Sequence, residues 1–281
     1  MTFNPIAAQN VVESSRLLDS NNANAIDLGS QTSVINDNFL ESILKNNKFL
    51  NKKQKENINK LKRKKNFTTS EFFLSLGYVS YSAIDINGAY NSHKFDLNKN
   101  IFEKYNFKEK FDLVINNGTG EHIFDQYNFF LNFHNLTKIN GLMLSILPFI
   151  DWINHGFYNF NPIFFADLAA SNKYDIVKIS FANRNGAELT IDKNDYGVLF
   201  EQIKPNTSAT KFKRSLDYIK EKLGINILIV VILKKKLDRD FKTPLQGKYL
   251  QDINDEKTDY SDQTAGSANA AHQVSDNVKR K

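Results

Sequence analysis

The stretch Phe111–Pro148, FDLVINNGTGEHIFDQYNFFLNFHNLTKINGLMLSILP, constrains this chain more than any other. An apolar-rich run, Asp112–Asn116, ends in a glycine-bearing turn, Asn117-Gly118-Thr119-Gly120. A helical pattern follows, with Ile123, Tyr127, Phe130 and His134 recurring at spacings of four, three and four. Asn140-Gly141 is expected to stop that helix, and Leu142–Leu147 is a second apolar run of strand length. Strand, helix and strand make a βαβ unit, for which a right-handed crossover is the rule. Ligands of such sheets bind beyond the carboxyl ends of the strands. The polar turn Asn116–His122 therefore marks the edge where chemistry should gather.

The flanking sequence repeats the alternation. Residues 5–18 suit a helix, and Ala25–Leu28 reads as a first strand closed by Gly29-Ser30. Val34–Leu50 looks helical and grades into a lysine-rich segment. Thr68-x-x-Glu71 has the form of a capping box, and its helix should stop at Gly77. Tyr78–Ile86 alternates like a strand and carries Asp85 near its end, and His93–Leu97 reads as a short third strand with Asp96. Asn161-Pro162 supplies an N-cap and an N1 proline for a helix through Ala170. Tyr174–Phe181 is strand-like, Asn183–Thr207 irregular with room for a small hairpin, and Ser208–Leu223 a basic amphipathic helix. Ile225–Leu233 is the last buried strand. The pattern predicts an α/β doubly wound sheet.

The 281 residues suffice for one domain of roughly 220–250 residues plus tails. We expect a helical lead-in over 1–20, a catalytic domain over 21–250 with an insertion at about 41–66, and a disordered polar tail over 251–281. The absence of cysteine excludes disulfides and thiolate metal sites. The N-terminus lacks the basic and apolar regions of a signal peptide, and the longest apolar run, Ile225–Leu233, is too short to span a bilayer. A soluble, cytoplasmic protein is expected. The net charge of +6 is local: Lys45–Lys65 carries ten Lys/Arg against one Glu, leaving the remainder at −3. A solvated basic helix is the commoner meaning of such a run, and nucleic-acid contact the rarer one.

Three acids, Asp27, Asp85 and Asp96, fall at or just after predicted strand ends. A nucleoside ligand needs such groups, one to accept hydrogen bonds from ribose hydroxyls and one from the adenine amino group. The first turn, Asp27-Leu-Gly29-Ser-Gln31-Thr-Ser33, has a single glycine where a pyrophosphate would want G-x-G-x-x-G. A dinucleotide is disfavoured.

These residues resemble those of class I S-adenosylmethionine-dependent methyltransferases, over about residues 20–235. The likeness is to a bacterial branch with D-L-G-x-Q, T-S-E-F-x-x-x-L-G, D-L-N and G-T-x-E-H motifs. Here they stand as Asp27–Gln31, Thr69–Gly77 before Asp85, Asp96-Leu97-Asn98, and Gly118–His122. The resemblance implies a Rossmann-like seven-stranded sheet with helices on both faces, its last strand antiparallel. It also implies roles around S-adenosyl-L-methionine. Asp27 and Gly29 would hold the methionine end, with Ser30 and Gln31 beside them. Asp85, flanked by Ile86, would hold the ribose, and Asp96 with Leu97 the adenine. Asn116 and Asn117 would line the strand end near the sulfonium. Gln31 and Ser33 replace later glycines of the usual motif, and the 58-residue gap between Asp27 and Asp85 holds the lysine-rich helical insertion.

Methyl transfer asks a protein mainly to align the acceptor, and an oxygen or nitrogen acceptor also needs its proton removed. Histidine suits that task. His122 is the leading candidate, Glu121 its orienter, and His155, in the aromatic stretch Asp151–Phe165, the second. His134 falls on the apolar stripe and is expected to be a packed, hydrogen-bonded histidine. No metal site is expected, because no histidines show the i, i+4 spacing of a helical pair. A small-molecule or glycan-type acceptor is the leading expectation. RNA or other nucleic acid, held by the lysine-rich segment and the basic Lys211–Lys222 helix, is the alternative, as is a fold that has lost catalysis.

Overall fold

The structure, a computed structural model, describes residues 2–18, 20–64, 66–190 and 217–247. Seven strands form one mixed sheet in the order β2-β1-β3-β4-β7-β5-β6. They are β1 (Asn24–Asp27), β2 (Ser80–Ala83), β3 (Phe111–Asn117), β4 (Thr137–Ile150), β5 (Asp175–Ala182), β6 (Glu188–Thr190) and β7 (Ile227–Lys234). β1, β2, β3 and β4 run parallel, whereas β7 inserts antiparallel to both β4 and β5. The Rossmann-like sheet with an antiparallel last strand is thus present.

Pleating explains why both faces carry helices. Within β7, Ile229, Val231 and Leu233 join one apolar core while Leu228, Val230 and Ile232 join the other. A strand apolar at every position has no solvent face, so each side must be covered. The first core is closed by α5 (Ile101–Lys104), α6 (Gln126–Leu136) and α7 (Pro162–Asn172). The second is closed by α1 (Pro5–Leu17), α2 (Asp37–Asn46), α3 (Lys52–Lys62) and α4 (Thr69–Ser75). Local chemistry sets the helix starts. Asn4 accepts from the Ala7 amide ahead of Pro5, and both Asn51/Gln54 and Thr68/Glu71 form reciprocal capping boxes. Gly77 ends the α4 segment at φ +96°, a conformation only glycine adopts without strain. No helix among the described residues is long and apolar enough to cross a membrane.

Several expectations are corrected. The helix of the central unit begins at Gln126, after a 3-10 turn at Gly120–His122, so Ile123 lies outside it. Tyr127 is consequently exposed and rests its edge on Phe241 instead of joining the buried stripe. The helix ends at Leu136, not at Asn140-Gly141. Asn140, at φ +63°, lies within β4, where the pairing with β3 shifts register. The third strand shrinks to one bridge, Ile84 to His93. Within the lysine-rich segment, α3 buries Gln54, Ile58 and Leu61, the last two in the second core. The hairpin expected within Asn183–Thr207 is instead formed by β5 and β6, whose first strand precedes that stretch, and 191–207 lie outside the described residues. The tail and most of the Ser208–Leu223 helix lie outside the described residues; 217–223 is helical.

Candidate active site

Strand order places the site. β1 pairs with β2 on one side and β3 on the other, so the chain reverses direction of winding there, and a crevice opens beyond the strand ends. A cleft of about 370 Å³ occupies this position. Leu28–Gln31 after β1, Ile84–Ile86 after β2 and Gly118-Thr119 after β3 form three of its walls, and Phe95–Asn98 the fourth. Gly29, Ser30, Gln31, Asp85, Ile86, Asp96, Leu97 and His122 all line it. Among the described residues its wall holds two carboxylates and no lysine or arginine. A larger depression of about 510 Å³ is lined by Thr32, Ser33, Ile35, Asn36, Asp37, Asn38, Lys64, Asn66 and Phe67.

Each wall is braced by hydrogen bonds that local sequence supplies. The Ser30 amide and hydroxyl donate to Asp85 Oδ2 at 3.2 and 2.8 Å, tying the first turn to the second strand. Asp96 Oδ1 accepts from the Asn98 amide and side chain, both at 2.9 Å. Burial raises the Asp96 pKa, but the Asn98 bonds outweigh it and hold the carboxyl below its usual value. Gly29 is required by a close approach: a Cβ there would stand 2.1 Å from Thr119 Oγ1.

Asp27 lies behind this wall, not in it. Its side chain is fully buried, and neither carboxylate oxygen has a hydrogen-bond partner. Burial pushes its pKa well above the usual range; the Gly29 and Leu28 amides pull the other way, and Asp85 adds to the push. Asn116 and Asn117, expected to line the strand end, are fully buried and brace the turn instead. Asn116 Oδ1 accepts from the Gly120 amide at 2.9 Å. Asn117 Nδ2 donates to Gln31 Oε1 at 2.5 Å, and Gln31 Nε2 donates back to the Asn117 carbonyl.

At the His122 end, Glu121, His122 and His155 converge. His122 Nε2 is 3.8 Å and His155 Nε2 3.4 Å from Glu121 Oε1, and the imidazole centroids are 5.0 Å apart. Glu121 is fully buried with both oxygens unpartnered, whereas the histidines are 43% and 29% exposed. Burial raises the Glu121 pKa to about 7. Burial lowers the pKa of both histidines, with His155 adding to the effect on His122. The backbone holds the two segments together, since the Phe157 amide donates to the Glu121 carbonyl at 2.7 Å. Gly156 permits it, because a Cβ there would stand 2.8 Å from Glu121 Cγ. Phe124 and Phe157, both exposed, meet edge to face at 5.8 Å close by.

Sequence reasoning missed Thr119, Phe95, Gly156 and Trp152. Trp152 packs against His155 at 4.8 Å and donates to the Ile227 carbonyl at 2.9 Å, so β7 positions the His155 loop. The run Trp152-Ile-Asn-His155-Gly156 held the only available signal, a glycine beside the candidate histidine. His134 is packed as expected: Tyr174 Oη lies 2.5 Å from its Nδ1 and the Arg239 carbonyl 2.8 Å from its Nε2.

No family model and no curated protein sequence matches the chain. Solved structures overlay on it loosely. A Burkholderia thailandensis 1,6-didemethyltoxoflavin-N1-methyltransferase, with S-adenosylhomocysteine bound, is 11% identical over 82% of this chain and 78% of that one, at TM-score 0.43. A putative sarcosine dimethylglycine methyltransferase from Galdieria sulphuraria is 11% identical over 82% and 85%, also at 0.43. A SAM-dependent methyltransferase from Archaeoglobus fulgidus is 12% identical over 81% and 93%, at 0.41. Likeness at this level does not bear on chemistry.

Proposed function

We propose that the chain is an S-adenosylmethionine-dependent methyltransferase acting on a small-molecule or glycan-type acceptor. The observation that carries this reading is the lining of the cleft at the switch point. Asp85 and Asp96 both stand between β2 and β3 with Ile86, Phe95 and Leu97 around them, and no lysine or arginine is among the described residues that line the cleft. Carboxylates beside apolar faces suit a ribose diol and a purine. A described lining without lysine or arginine, with one glycine in the first turn, suits a ligand without phosphate. A negative lining favours a positively charged one.

The residues fit the cofactor. The unpartnered Asp27 carboxyl lies behind Gly29, where the methionine end of the ligand would lie. Gly29 lines the cleft without a side chain, so the turn can approach a ligand closely. Asp85 would accept from the ribose hydroxyls and Asp96 with Leu97 would hold the adenine. When bound, the cofactor would supply a sulfonium methyl to which an acceptor atom bonds, the electron pair of the broken carbon–sulfur bond staying on the departing sulfur and the acceptor's proton passing to a histidine or to solvent. His122 belongs both to the cleft and to the trio with Glu121 and His155, so the trio stands at the acceptor end. It would orient the acceptor and polarise its nucleophilic atom. Phe124 and Phe157 offer an aromatic platform beside it.

Calorimetric titration with S-adenosylmethionine and S-adenosylhomocysteine, alongside Asp85→Ala, tests the reading. Micromolar binding lost in a folded variant is expected. No binding at millimolar ligand by folded wild-type protein would remove the cofactor, and with it the enzyme.

A further inference from the structure

We propose that Glu121, His122 and His155 bind a divalent transition-metal ion at the acceptor end of the cleft. Two segments distant in sequence, the turn after β3 and the loop after β4, bring one carboxylate and two imidazoles together. One ligand atom from each residue lies within 4.8 Å of the others. Ligands at about 2.0–2.2 Å from a shared tetrahedral ion stand about 3.4 Å apart, so the widest separation in this group would close by up to about 1.4 Å.

A second observation points to a ligand independently. Glu121 is fully buried, yet neither of its oxygens meets a donor, and His155 Nε2 is also buried without a partner. Buried polar atoms are nearly always satisfied, and a buried carboxylate facing two imidazoles asks for a cation between them. The frame is already set. The Phe157 amide clasps the Glu121 carbonyl, Gly156 sits flat against Glu121, and Trp152 stacks on His155. His122, the more exposed of the two histidines, also lines the cleft.

The donor set selects the metal. Two imidazoles and a carboxylate suit Zn²⁺, Fe²⁺ or Mn²⁺, whereas Mg²⁺ and Ca²⁺ prefer all-oxygen shells. Three protein ligands with open positions are the pattern of an ion that also binds a substrate. That use of the ion, holding and acidifying an acceptor hydroxyl, rests on the methyltransferase reading; the binding does not.

The test uses the full chain without a histidine tag, stripped by a chelator and dialysed. Zn²⁺, Co²⁺, Mn²⁺ and Mg²⁺ are titrated by calorimetry, with Co²⁺ visible absorption as a second readout. Wild-type protein should take one equivalent of Zn²⁺ or Co²⁺ and bind Mg²⁺ far more weakly. His155→Ala and Glu121→Gln should each lose more than the ~10–100-fold that removal of an outer-shell partner costs, while His93→Ala keeps affinity. Far-UV circular dichroism and S-adenosylhomocysteine binding accompany each variant. X-ray absorption of the zinc-loaded wild type reads imidazole ligands without any variant. Absence of stoichiometric binding, unchanged affinity in folded His155→Ala, or a spectrum without imidazole scattering would overturn the proposal. Metal binding at the trio without cofactor binding would uphold it and remove the methyltransferase reading; the reverse would remove only the metal.

Discussion

Gly29→Ala should destabilise the protein by about 1–3 kcal/mol, the range for forcing a methyl into a well-packed place. The new Cβ would stand 2.1 Å from Thr119 Oγ1 and 3.3 Å from Thr119 Cβ. The first distance is impossible and the second merely tight, so most of the cost lies in a single oxygen atom. Replacing Thr119 by Ala removes that atom and leaves the 3.3 Å approach. The double variant Gly29→Ala/Thr119→Ala should therefore recover about 1–2 kcal/mol relative to additivity, a coupling usual for residues in contact. Urea unfolding of the wild type, both single variants and the double variant gives this coupling directly. S-adenosylhomocysteine calorimetry gives a second, separable readout. Because the Cβ also occupies the wall of the cleft, binding should remain weakened in the double variant after stability has returned. Additive stabilities would refute the steric account of Gly29. Binding restored together with stability would refute the claim that bare backbone at this position serves the ligand.

His134, held at a pKa of about 4 against an ordinary 6.5, stays neutral in the fold. Its stabilising balance is intact above the unfolded value and is lost as pH falls, because the unfolded chain gains a proton that the folded one refuses. Wild type should lose about 2 kcal/mol more than His134→Gln between about pH 7.5 and about pH 5 by urea unfolding; equal losses would contradict it. Asp27, raised by burial, has the opposite sense: the folded protein is favoured below the unfolded carboxylate range and loses that advantage as pH rises through the folded pKa. Asp27→Asn should therefore raise cofactor-free stability at neutral pH while weakening S-adenosylhomocysteine binding at least tenfold; a destabilised variant would count against it. Gly156→Ala forces the His155 loop off Glu121, where the added Cβ would meet Cγ at 2.8 Å. It should abolish turnover with cofactor affinity unchanged, and a fully active variant would sink the role given to the trio.

The sheet and its helices were legible where local chemistry and burial agree. Thr68/Glu71 and Pro162 announced their helices, and the apolar runs of β1, β3, β4 and β7 could only be buried strands. The positions of Asp27 and Asp85 at strand ends followed from those runs. Tyr127 was misplaced because the 3-10 turn at Gly120–His122 restarts the helical phase at Gln126. Asn116 and Asn117 do stand at the carboxyl end of their strand, but both are buried there, with Asn116 Oδ1 and Asn117 Nδ2 engaged in the turn and Asn116 Nδ2 and Asn117 Oδ1 unpartnered. Glu121 and His122 were found as neighbours in sequence, but nothing local says that His155 meets them. That meeting depends on Trp152 reaching β7, a contact between residues 75 positions apart.

The place of β7 has a consequence for how the chain is made. β5 and β6 precede it in sequence, yet both are joined to the rest of the sheet only through it. Until residues 227–234 leave the ribosome, β4 presents a long apolar strand with one open edge and the β5–β6 hairpin has nothing to dock on. Open apolar edges invite pairing with other chains. Nascent chains halted just before Ile227 should therefore be the ones that recruit chaperones. Release of β7 should both seal the sheet and give Trp152 the carbonyl that sets the loop of His155 in place.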